Sequence, residues 1–159
     1  LVVAIAAIAM QSLTGESVLY VLTSSEALIT DLPTLTSAST VITIIIFKAI
    51  AYAVSMGAGF RGGPFFPAMF IGAASGLLVA LVIPNGPSVQ AAFVVGFVAS
   101  VIATAKMKWP LAIALGIVIG FVMGTWTLIP AAVIGAVVAR AVPRWGDWVA
   151  SKLPLPASA

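Results

Sequence analysis

The chain has 159 residues, 62% of them hydrophobic and only 7% charged, with a formal net charge of +3. Soluble domains carry about a quarter charged residues, and a soluble chain this apolar would have no polar surface to cover itself, so composition points to a membrane. The absence of cysteine and histidine excludes a disulfide framework, thiol or imidazole catalysis and thiolate metal sites, and the scattered basic residues form no run that would grip nucleic acid.

Leu1 to Met10 already reads as an apolar helix, with no initiating Met and no basic leader of the signal-peptide kind. It is too short to cross the ~30 Å hydrocarbon core, which takes about 20 residues. It is therefore read as a helix entered midway, and the chain as part of a longer protein. Residues 11–40 are the most polar stretch and hold Glu16, Glu26 and Asp31. Thr23-Ser24-Ser25-Glu26 has the spacing of a capping box and predicts a short helix, which the Leu32-Pro33 step ends. In so polar a segment Glu16 and Glu26 are read as facing solvent; burial would open a role in proton movement.

Val41 to Met56 is a strong apolar run with Lys48 inside it. Two readings of Lys48 stand open. It favours anions at a pore mouth, or it snorkels or pairs with an acid such as Glu16 or Glu26. A glycine-rich stretch from Gly57 to Gly63 precedes a second run, Phe65 to Ile83, rich in the small residues Gly72, Ala73, Ala74 and Gly76. Pro84-Asn85-Gly86-Pro87 is a turn. Ala91 to Met107 is a third run. Pro110 suits the first turn of a fourth helix reaching about Gly124, and Pro130 opens a fifth reaching about Val142. Small residues four apart, such as Gly116 and Gly120, predict close approach of helix backbones. Several of these helices are too short to cross a bilayer perpendicularly. Short, Gly/Pro-interrupted helices mark transporter-like folds, in which half-helices end at membrane depth around a site. Arg140, Arg144 and Lys152, with Trp145 and Trp148 nearby, predict a cytoplasmic C-terminal end.

The segment with the most chemical content is Arg61-Gly62-Gly63-Pro64-Phe65-Phe66-Pro67. Glycines permit a tight, non-helical backbone, and proline suits a first helical turn, where N–H groups have no intrahelical partner. Those N–H groups and the helix dipole together form an anion site that needs no charged side chain. Partial charges hold an anion weakly enough for release, whereas a full cation at the binding point holds it too tightly for transport. The competing reading is a kinked membrane helix. Arg61 either raises the local anion potential or serves an interfacial or structural role.

Gly63-Pro64-Phe65-Phe66-Pro67 fits the G-x-F-x-P signature of the ClC family of chloride channels and chloride/proton antiporters, and the chain resembles that family along nearly its whole length. Gly57 lies upstream of the motif and Met69 and Gly72-Ala73 downstream, as in the family. Ala105-Lys106-Met107-Lys108-Trp109-Pro110-Leu111 resembles its link between two later helices. Leu128-Ile129-Pro130, followed by Gly135, resembles the start of the next helix. The resemblance implies an all-α polytopic membrane fold of short, tilted and broken helices. It makes residues 1–159 the C-terminal member of two inverted repeats. The first half, with its gating glutamate and serine hydroxyl, and any soluble regulatory domain would lie elsewhere in the protein.

The implied function is transport of an anion, chloride foremost, by a channel or a proton-coupled antiporter in the plasma (inner) membrane. The partners are the lipid bilayer, the N-terminal half and a second copy in a homodimer; the transported anion is the only ligand, no cofactor is implied and no enzyme activity. A non-transporting membrane assembly module of the same fold is the alternative. In the family the anion is held by the backbone N–H of the x and F positions, here Pro64 and Phe65. Proline has no N–H, which leaves Phe65, with Phe66 beside it. The family also places an anion-touching tyrosine at the start of its last helix, but no tyrosine follows Tyr52 here. Trp145 and Trp148 fall in roughly that region, as indole N–H donors or as interfacial anchors.

Overall fold

The computed structural model describes residues 1–23, 26–59, 65–122 and 126–141. They form helices throughout, with no strand among them. In chain order these are α1 (Val2–Thr14), α2 (Leu19–Leu22), α3 (Glu26–Ile29), α4 (Ala38–Gly57), α5 (Phe65–Val82), α6 (Val89–Ala105), α7 (Trp109–Val122) and α8 (Ile129–Ala141). Short 3₁₀ turns at Leu32–Thr34 and Trp126–Leu128 punctuate the series.

The helix ends follow local rules. Gly15 closes α1 in the left-handed conformation, φ 75°, and its N–H donates to Gln11 O at 2.8 Å, the position where a missing Cβ costs least. Ser37 caps α4 by accepting from Thr40 N, and Ser88 caps α6 by accepting from Ala91 N. Pro110 and Pro130 are each the second residue of their helices, where the absent N–H is no loss. Pro33 lies in the 3₁₀ turn rather than at the end of α3, which stops at Ile29.

Among the described residues, α4, with 20 residues, and α5, with 18, are the two helices long and apolar enough to cross a membrane; at 1.5 Å per residue they span about 30 and 27 Å. α1, α6, α7 and α8 are shorter apolar helices. Their outer faces carry large exposed hydrophobic side chains, among them Ile117, Val118, Phe121 and Val122 on α7. Continuous apolar surface of this kind is stable only against lipid or another protein surface.

α5 packs most extensively on α6, α6 and α7 both pack on α8, and α4 joins α1 and α2 to α5. The α5–α6 contact is a backbone contact. A Cβ added at Gly72 would collide with the Ser100 side chain and the Gly96 carbonyl, one at Gly76 with the Ala92 carbonyl, and one at Gly96 with the Gly72 carbonyl. In lipid, where burial from water gives no drive, such close approach is how helices gain attraction. The same device recurs in α7 and α8. A Cβ at Gly120 would lie 2.9 Å from Ile129 Cα, and one at Gly135 2.8 Å from Val95 O in α6.

Gly57, by contrast, has open space around its missing Cβ. Gly76→Ala should therefore lower the unfolding temperature in detergent, at a cost of about 1–3 kcal/mol for overpacking. Gly57→Ala should leave it unchanged or slightly raised. Equal effects of the two substitutions would contradict the packing described.

Candidate functional site

α5 is described from Phe65 onward and is helical from that residue, so Phe65, Phe66 and Pro67 of the sequence motif lie on helical backbone. Phe65 is half-buried against the core and Phe66 is 39% exposed. Their rings meet edge to face, 5.9 Å between centroids at 86°. The first N–H groups of any helix lack a carbonyl one turn back, and Pro67 brings no N–H to this segment. Arg61, Gly62, Gly63 and Pro64, like Trp145 and Trp148 near the C-terminus, lie outside the described residues.

Lys48 is the one buried charged side chain among the described residues, 3% exposed in the middle of α4. Its ammonium donates to Val21 O at 3.5 Å and to Thr23 O. These carbonyls belong to the last turn and C-cap of α2, where helical carbonyls have no intrahelical acceptor role to fill. Lys48 Nζ also lies 5.3 Å from the centroid of the Phe70 ring in α5, a cation–π arrangement. Lys48 therefore neither snorkels nor stands open at a surface. It ties α4 to α2 through main-chain oxygens and to α5 through the Phe70 ring.

Phe70 is fully buried and also faces Tyr20, with centroids 6.1 Å apart. Neither ring was singled out by sequence. The available signal was weak, aromatic residues one turn past a helix start and in a short polar segment. Within residues 11–40, the most polar stretch of the sequence, Tyr20, Val21, Ile29, Leu32 and Leu35 are nevertheless buried. That segment folds back onto α4 and α5 as α2, α3 and the 3₁₀ turn. Glu16 is half-buried at its start, its N–H donating to Thr14 Oγ1 at 3.2 Å.

A groove of about 810 Å³ runs along α5, α6 and α8. Phe65, Phe66 and Pro67 do not line it, and Lys106 is the one charged residue that does. The hydroxyls of Ser75 and Ser100 in its wall are spent on Ile71 O, at 2.7 Å, and Phe97 O, at 2.8 Å. The groove thus offers little polar chemistry and is distinct from the α5 start.

Together these features define, among the described residues, an all-helical protein of short apolar helices in which a buried cation ties main-chain carbonyls. The model of the voltage gated chloride channel family matches residues 1–144, and the chain belongs to that family. No curated protein and no solved structure matches it. Family membership makes the chain an integral membrane protein of the chloride channel or antiporter type, a class that transports anions.

If Lys48 holds α2 to α4, its removal leaves buried carbonyls without a donor. Lys48→Ala should destabilise the protein in detergent by about 3 kcal/mol, the range for hydrogen bonds to a charged group. Exposed Lys108→Ala should have no measurable effect; a comparable loss at Lys108 would show that α2 does not depend on the Lys48 ammonium.

Proposed function

We propose that this chain is the C-terminal half of a ClC-type transporter and that it carries chloride past the N-terminal end of α5, held by the backbone N–H of Phe65 with Phe66 beside it. The observation that carries this reading is the G-x-F-x-P sequence at Gly63–Pro67 in a chain of this family, with helical backbone from Phe65 onward. An N-terminal helix end presents N–H groups and the positive end of the dipole, and so stabilises an anion without a full cation. Gly62, Gly63 and Pro64 complete the segment. Arg61 raises the potential beside it, and Trp145 or Trp148 supplies an indole N–H from the C-terminal side.

The working unit is a homodimer in the plasma (inner) membrane with the C-terminal end in the cytoplasm. The first half of the protein supplies the remaining filter groups, and with them the choice between channel and proton-coupled antiporter.

The direct test is anion efflux from liposomes containing the protein, with chloride, nitrate and fluoride offered in turn. Replacing Phe65 by its α-hydroxy analogue deletes the one N–H while keeping the side chain. The half-saturating chloride concentration should then rise by about 10-fold or more, as expected for loss of a hydrogen bond to a charged ligand. Absence of flux for all three anions, or flux indifferent to that replacement, would refute the proposal. Lack of any halide at the α5 start in bromide-soaked crystals, tracked by anomalous scattering, would favour the non-transporting assembly module.

A further inference from the structure

We propose that Lys48 is a positioning residue for the anion-binding start of α5 and acts on it through Phe70; the inference rests on the functional reading above. Phe70 is the fully buried contact between the first turns of α5 and the rest of the fold. On one side it meets Tyr20 of α2, with rings 6.1 Å apart and inclined at 49°. On the other it meets the Lys48 ammonium of α4, 5.3 Å from its centroid. The ammonium is itself fixed by Val21 O and Thr23 O at the end of α2. One cation therefore sets the spacing of α2 from α4 and clamps the ring that α5 presents to both helices.

Phe70 lies five residues beyond Phe65, about 7.5 Å along the helix axis. The glycine contacts that lock α5 to α6 lie farther in, at Gly72 and Gly76. The outer turn of α5 is thus held from the α2–α4 side, and a shift of Phe70 tilts the helix start about the glycine contact. An apolar residue at position 48 fills similar space but leaves the two α2 carbonyls without their donor. In a medium without water that loss moves the backbone of α2.

The experiment uses the protein in liposomes, reading the half-saturating chloride concentration and the chloride/nitrate ratio separately from maximal flux per folded molecule. Lys48→Met and Phe70→Leu should each raise the half-saturating concentration by about 3- to 30-fold, the span of coupled positions remote from a ligand, and shift the ratio. Lys48→Arg should restore much of both. Phe70→Leu keeps the buried charge, so it separates positioning from simple attraction of the anion. Folded Phe70→Leu with an unaltered half-saturating concentration and ratio would overturn the inference, whatever Lys48→Met does. If Lys48→Met does not fold, Phe70→Leu decides alone. Absence of flux in the unaltered protein would overturn the functional reading, and this inference with it.

Discussion

The contact on which the rest of the fold depends is the backbone approach of α5 to α6 through Gly72, Gly76 and Gly96. A bilayer removes the usual drive for burying apolar side chains, since lipid tails are as apolar as leucine. What remains is dispersion between closely set atoms, and that grows as the backbones near each other. The missing Cβ atoms allow it. α6 then presents its other side to α8, where Gly135 meets Val95, and α8 presents Ala132 to Gly116 and Gly120 of α7. A chain of such contacts fixes where α5 stands, and so where its first turn lies.

The second requirement is that the open main-chain groups at helix ends find partners. α1 ends on a left-handed glycine, α4 and α6 start on serine caps, and α2 ends on the Lys48 ammonium. Each solves the same problem of main-chain groups without an intrahelical partner. The lysine solution differs because it comes from another helix and brings a charge with it. It converts a local cap into a tie between α2 and α4.

The long elements were legible in the sequence because their apolar runs are continuous and their punctuation is strong. α4, α5, α6, α7 and α8 fall within about three residues of the runs read from Val41, Phe65, Ala91, Pro110 and Pro130. The capping serines extend α4 and α6 a turn or less earlier than hydropathy does. α2 was not legible, since four residues carry no periodicity, and the buried face of residues 20–35 was masked by its serines, threonines and acids. The apolar run from Phe65 was legible, whereas the acceptors of Lys48 are main-chain oxygens that a residue pattern does not display. The sequence offered Lys48 a pore mouth, snorkelling or a carboxylate partner; its described contacts include the Val21 and Thr23 carbonyls and the Phe70 ring.

Because Gly72 faces Ser100 and Gly76 faces Ala92, α5 and α6 run antiparallel, and the first turn of α5 is level with the last turn of α6. Two neighbouring helices so arranged normally cancel each other's end charges: the carbonyl end of one sits beside the amide end of the other. Here α6 is closed by Lys106, in the left-handed conformation at φ 51°, with Lys108 two residues on. A lysine at that cap offsets the negative end of α6. The positive end of α5 is then left unneutralised by its nearest neighbour, and the antiparallel pair presents a net field of one sign on the side where Phe65 begins.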